Sequence, residues 1–303
     1  MHNYVKQLIQ SKFVRNVAVV ASGTAGAQAI GVAFSPVITR LYGPDAFGVL
    51  GTFAAMLAVI TPLAALSYPI AIVLPKKDVD ALGLVKLSIG IALTTSFLVT
   101  LFLLGFKGSI VNAFNLQAVE SFILLLPLAM LFSACLAIAT QWVIRKKLFK
   151  LQAKVAVLQA LLMNGAKAGI GLLLPLASVL VIFATLGSAF QASMLYRGIK
   201  KKKADTTVDA GQDTLGTHAS YKALALRHRD FAYYRTPQVF LNAVSQSMPV
   251  LMLAGFFGPA VAGFYSLGKM VLGVPSTLIG QSVASVFYPR IMKLPMLEKI
   301  RVS

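Results

Sequence analysis

Apolar residues in this chain run in long unbroken stretches, with neither the alternation of strands nor the one-sided stripe of soluble helices. About 20 such residues cross ~30 Å of hydrocarbon at ~1.5 Å per residue. Charge-free runs of that length predict spans at 17–38, 47–74, 87–106 and 122–144. The run 155–196 holds one charge, Lys167, and is long enough for two helices. Pro175, followed by Leu-Ala-Ser, predicts a turn that divides it into 155–174 and 176–196. The run 236–287 holds only Lys269, and Gly258-Pro259 predicts its turn. The pattern therefore predicts an all-α polytopic membrane protein with eight transmembrane helices. Ahead of them, residues 4–13 place Val5, Leu8, Ile9 and Phe13 on one helical face and Lys6 and Lys12 away from it. Residues 1–16 thus read as an interfacial segment. The first run exceeds the apolar core of a cleavable signal, and no short basic leader precedes it, so cleavage is not expected.

Charge orients these spans. The chain has 28 Lys and Arg against 9 Asp and Glu, a formal net charge of +19. Nearly all the cations fall on one side, in the N-terminus, the loops 75–86, 145–154 and 197–235, and the tail from 290 to 303. Arg40 and Lys107 alone fall on the other side, and Lys167 and Lys269 lie inside spans. Basic residues gather in cytoplasmic loops, so both termini are expected inside. The loop 197–235 opens with Lys200–Lys203 and a polar stretch to Thr217, as in a flexible basic cytoplasmic linker. Residues 221–234, where basic and aromatic residues mingle, suit either a helix on an anionic membrane surface or ordinary topology signal.

Composition excludes other classes. Hydrophobic residues make up 57% and charged residues 12%, whereas a soluble domain is roughly half apolar and a quarter charged. Too few charges remain to coat a soluble enzyme or a nucleic-acid binder, and too much apolar surface is present for disorder. Cys135 is the only cysteine, and the histidines are His2, His218 and His228, so neither a disulfide within the chain nor a metal cluster is expected. Asp78-Val-Asp80 is the only paired acid motif, and it reads as balance for Lys76 and Lys77. No catalytic residue and no cofactor is expected.

The segment Ser35-Pro-Val-Ile-Thr-Arg-Leu-Tyr-Gly-Pro-Asp-Ala-Phe-Gly48 resembles the Wzx-type polysaccharide (O-antigen) flippases of the multidrug/oligosaccharidyl-lipid/polysaccharide exporter superfamily. Ile70-Ala-Ile-Val-Leu-Pro-Lys-Lys77 and Gln141-Trp-Val-Ile-Arg-Lys-Lys-Leu-Phe149 are similar to the same family. So are Gly263-Phe-Tyr-Ser-Leu-Gly-Lys-Met-Val-Leu-Gly-Val-Pro275, Ile279-Gly-Gln281 and Val286-Phe-Tyr-Pro-Arg290. The resemblance, from about Lys12 to Arg290, implies two six-helix bundles facing across a cavity. It implies alternating access in the bacterial inner membrane, carrying an undecaprenyl-pyrophosphate-type lipid-linked oligosaccharide outward. It also implies membrane lipids, a polysaccharide polymerase and chain-length proteins as partners. On that template 17–196 is the first six-helix bundle, and 236–289 holds helices 7 and 8 of an incomplete second one. The family has twelve or more helices, and 292–303 does not resemble its next loop. The competing expectation is therefore a truncated, non-transporting fragment or scaffold. A drug or ion antiporter of the superfamily is more remote, because no acidic residue lies in a span.

An anionic lipid pyrophosphate calls for cations facing a wet cavity, and a charge inside a span costs ~2.5–3.5 kcal/mol on insertion scales. Lys167 shares a face with Asn164 and Gly171, and Lys269 with Gly273, Ser276 and Gly280. Each lysine could serve a cavity or be snorkelled or packed. Thr24, Gln28, Gly31 and Ser35 form a small polar stripe in the first span, and Asn242, Gln246 and Pro249 form another in the seventh. Packing is the expected use of both, although Gln28, Asn242 and Gln246 remain substrate candidates. Gly165 and Gly169 read as a packing pair. Arg40 could meet a phosphate bidentately or pair locally with Asp45. Pro62, Pro69, Pro249 and Pro275 are expected kinks.

Overall fold

The computed structural model describes residues 12–205 and 220–273. Residues 1–11 of the expected interfacial segment, the polar part of the linker and all of 274–303 lie outside them. Among the described residues the chain is all-helical: α1 (Lys12–Ala64), α2 (Tyr68–Ala71), α3 (Asp78–Phe114), α4 (Leu126–Arg145), α5 (Phe149–Gly171), α6 (Ala177–Asp205), α7 (Tyr221–Arg227) and α8 (Thr236–Phe257). A further helix, α9, occupies 259–273. A 3-10 segment, Gln117–Leu125, leads into α4.

Among the described residues, five stretches are long and apolar enough to cross a membrane: Val19–Ala64, Asp78–Phe114, Gln117–Arg145, Ala177–Lys201 and Phe231–Phe257. The protein is a multi-pass membrane protein. Large apolar side chains on α3, among them Phe97, Leu98, Leu101, Phe102 and Leu104, stand more than half exposed. A water-soluble surface rarely carries so broad an apolar patch. The helix α5 does not qualify on apolarity, since it carries Lys150, Lys154, Lys167 and several amides.

Several boundaries move. The expected loop between the first two spans shrinks to one residue inside α1: Gly43 takes φ 70° and ψ 172°, and Pro44 opens the next helical stretch. Glycine is required there because a Cβ disfavours that backbone region. Gly258 repeats the device between α8 and α9, with φ 84° and ψ 175°, again before a proline. The second span stops at Ala64, short of residue 74. Leu66 and Ser67 enter left-handed conformation, and α2 restarts the helix. Pro69 explains this break: inside a continuous helix its ring would clash with the carbonyl four residues back, whereas in a first turn its missing N–H costs nothing. Conversely α3 runs well beyond 87–106, through Lys86 and Lys107. Only its apolar centre need lie in hydrocarbon, and lysine is a good helix former. The helix α6 likewise continues through Lys200–Lys203 to Asp205, so the linker starts later than expected.

The core is a set of linked apolar clusters. Val49 and Phe53 of α1 pack with Leu103, Val111, Ile123, Leu126 and Val181. A second cluster gathers Tyr68, Ile72, Leu84 and Ile138 around Leu224 of α7, which is fully buried. The later part of the expected linker, α7, is thus docked on the first bundle, and the Tyr68 hydroxyl donates to the Ala225 carbonyl at 3.2 Å.

Candidate functional site

A groove of about 370 Å³ runs between the first half of α1, α5 and α6. Its polar lining comprises Thr24, Gln28, Gln152, Gln159, Asn164, Lys167 and Gln191, set among alanines, Val20 and Met163. Thr24 and Gln28 of the first span's stripe therefore meet Asn164 and Lys167 of the fifth span across one space. From Gln152 to Lys167 the groove follows α5 for roughly 22 Å by helix rise.

Close backbone approach builds this face. A Cβ at Gly23 would collide with Ala153, so α1 can lie against α5 only with glycine there. At the far end the Tyr42 hydroxyl donates to the Lys167 carbonyl at 2.8 Å. The Tyr42 ring covers Gly171, where a Cβ would come within 2.6 Å of it. Tyr42 thereby fixes where Lys167 begins. Sequence reading passed over it, because an aromatic at a helix end carries no signal of a long-range partner.

The groove's hydrogen-bonding groups are partly committed. Thr24 Oγ1 donates to the Val20 carbonyl at 3.0 Å, and Asn164 Nδ2 to the Ala160 carbonyl at 2.8 Å. Gln152 Oε1 is buried and has no partner among the described residues. The ion pairs among the described residues do not include Lys167, and no acidic side chain lines the groove. Gln152, Gln159 and Gln191 were missed from the sequence. Gln152 and Gln159 stand seven residues apart on α5, a spacing hidden because Gln152 falls in the expected loop 145–154, and Gln191 lies on α6.

The other expected site residues lie elsewhere. Asn242 lines a second cavity of about 390 Å³ with Ala54, Leu57, Thr61, Pro62 and Val239, between α1 and α8. Lys269 is exposed and donates to the Gln246 carbonyl at 3.0 Å, so it ties α9 to α8. Its stripe partners Ser276 and Gly280, and Pro275, lie outside the described residues. Arg40 is exposed, and the local pair with Asp45 is not formed among the described ion pairs. Gly165 and Gly169 have nothing near a Cβ among the described residues, so the packing expected of them is not found there. Asp78 pairs with Arg145 and Lys146 rather than balancing Lys76 and Lys77.

The second half of α1 meets α9 through a reciprocal seam. A Cβ at Gly48 would collide with the Pro259 carbonyl, and one at Gly263 with the Pro44 carbonyl. Gly51 lies against Ser266. The sequences are Gly43-Pro-Asp-Ala-Phe-Gly48 and Gly258-Pro-Ala-Val-Ala-Gly263, one pattern used twice at a constant offset that also relates Gly51 to Ser266. The contact is self-complementary, as across a two-fold axis. Beyond the other end of the second half of α1, Thr236 Oγ1 at the start of α8 donates to Ser67 Oγ at 3.0 Å.

A family model described as "Polysaccharide biosynthesis protein" matches residues 37–295. Neither the curated proteins nor the solved structures yield a match. The family match agrees with the resemblance to Wzx-type flippases.

Proposed function

The chain belongs to the polysaccharide biosynthesis protein family, and from that premise we propose that it translocates a lipid-linked oligosaccharide across the bacterial inner membrane by alternating access. In this reading eight helices cross the bilayer with both termini inside. The observation that carries it is the reciprocal seam: Gly48 against Pro259 and Gly263 against Pro44. Related helix pairs meeting about a pseudo-two-fold axis suit a transporter that rocks one repeat against the other. With the termini inside, the seam lies at the outer end, and Ser67 and Thr236 at the inner end. The groove beside Lys167 is the proposed polar path for the glycan. The absence of acidic side chains in its lining gives a drug-cation antiporter nothing with which to hold its substrate.

Vesicles test this. The full chain is reconstituted with a lipid-linked oligosaccharide, and the glycan reached by an impermeant glycosidase is followed over time. Accessible glycan is expected to rise faster than in protein-free vesicles, and Lys167→Met to slow that rise. A wild-type rate equal to the protein-free rate refutes the proposal and favours a non-transporting role.

A further inference from the structure

One surface away from the groove mixes exposed cations with exposed tyrosines. It covers α7 and the segment Phe231–Arg235, a single π-helical turn, a form that gathers at functional sites. Lys222, Arg227, Arg229 and Arg235 are all exposed. The ion pairs among the described residues include none of them, whereas Arg145 and Lys146 are already held by Asp78. Asp230 is the one acid between 221 and 235. Leu226, Tyr233 and Tyr234 stand more than half exposed beside these cations.

Packing fixes how this surface is presented. Leu224 is fully buried against the first bundle, and the Ala225 carbonyl accepts from the Tyr68 hydroxyl. Lys222 and Leu226, each two residues from Leu224, share the opposite face of α7 by helix geometry. Depth follows from length. The 22 residues of α8 span about 33 Å, enough to fill the ~30 Å of hydrocarbon. Tyr233, Tyr234 and Arg235, just ahead of α8, therefore come at headgroup level, where tyrosine rings and arginine settle.

We propose that α7 and Phe231–Arg235 form a binding surface for anionic phospholipid headgroups. Lys222, Arg227, Arg229 and Arg235 meet the negative charge, while Leu226, Tyr233 and Tyr234 enter the boundary with the acyl chains. Charge complementarity selects the lipid, since each Lys or Arg near an anionic surface contributes roughly a fivefold gain. A soluble acidic partner would have no use for apolar and aromatic side chains at that depth. Charge kept only to orient the chain on insertion needs neither a docked helix nor exposed rings. Because the surface rests on the first bundle and leads into Thr236, which bonds Ser67, a bound lipid anchors the start of α8 there. The proposal requires a membrane-spanning protein and is independent of what that protein transports.

Trp142 supplies the test. It is the only tryptophan and packs against the cluster around Leu224. The full chain is reconstituted in vesicles of phosphatidylcholine and phosphatidylglycerol, one or the other brominated high on its acyl chains. Quenching of Trp142 then gives the relative affinity of the two lipids. Phosphatidylglycerol is expected to bind at least about tenfold better, and about 1 M salt to remove most of that preference. Lys222→Gln, Arg227→Gln, Arg229→Gln and Arg235→Gln together should erase it. Removing four exposed cations elsewhere, by Lys76→Gln, Lys77→Gln, Lys150→Gln and Lys154→Gln, should leave it in place. Tyr234→Trp with Trp142→Phe repeats the reading from the surface itself and should give the same preference. No preference in either reporter overturns the proposal, as does one that survives the four site substitutions. An equal loss in the two quadruple variants also overturns it, because the charge is then diffuse topology signal. If the site variant does not fold, Arg235→Gln alone decides: a loss of at least about twofold is expected, and an unchanged preference refutes the assignment.

Discussion

Arg145 is the residue whose loss should cost the described fold most among the charged ones. Its guanidinium is 9% exposed at the end of α4. Nε and Nη2 donate to Asp78 Oδ1 at 3.0 and 2.9 Å, and Nη1 donates to the Pro75 carbonyl at 2.6 Å and the Ile72 carbonyl at 3.2 Å. One side chain thus ties the end of α4 to the break after α2 and the first residue of α3. Arg145→Ala would strand Asp78 and leave two carbonyls without that donor. Removing one partner of a buried pair costs ~3–5 kcal/mol. Asp78 is 25% exposed and keeps Lys146, and water can reach part of the gap, so the expected loss is ~2–4 kcal/mol. Lys146→Ala is the control. Its ammonium also pairs with Asp78 and lies 5.7 Å from the Trp142 ring centroid, but it is 40% exposed. Its loss should cost about 1 kcal/mol or less. Trp142 is the only tryptophan, so its fluorescence reports unfolding in mixed micelles from beside the site. The reasoning is refuted if Arg145→Ala is as mild as Lys146→Ala, or if Asp78→Asn and Arg145→Ala are additive in a double-mutant cycle.

Other substitutions address the seam, the groove and the topology. Gly48→Ala should destabilise by ~1–3 kcal/mol, because its Cβ meets the Pro259 carbonyl. Gly90→Ala, with open space around it, should stabilise α3 by ~0.5–1 kcal/mol; equal melting shifts for the two would discount the seam. Tyr42→Phe removes the bond to the Lys167 carbonyl and should cost ~0.5–1.5 kcal/mol in thermal unfolding. It should also loosen saccharide binding more than melting alone accounts for. In a Cys135→Ala background, an impermeant maleimide added to intact cells should label Asn115→Cys and spare Lys76→Cys until the membrane is opened. The reverse pattern would invert the proposed orientation.

The apolar runs were enough to establish the fold class, since in a bilayer every backbone polar group must be satisfied within the helix, and only long apolar stretches permit that. The turns at Pro175 and Gly258 were legible for a local reason: glycine and proline restrict the backbone wherever they sit. Helix ends were less legible. Ala64 ends α1 because Pro69 lies just beyond it, and α3 outruns its apolar centre because charged residues are as helical as apolar ones. Lys167 and Asn164 were recognisable from the cost of polar groups in a span. That Gln28 and Thr24 face them, and that Lys269 turns instead to the Gln246 carbonyl, depends on which helices are neighbours. Spacing along one helix carries no information about the next one. The Gly-Pro repeat was present in the sequence, yet its meaning came from Gly48 meeting Pro259 while Gly263 meets Pro44. Reciprocity of that kind exists only once two distant segments are brought face to face.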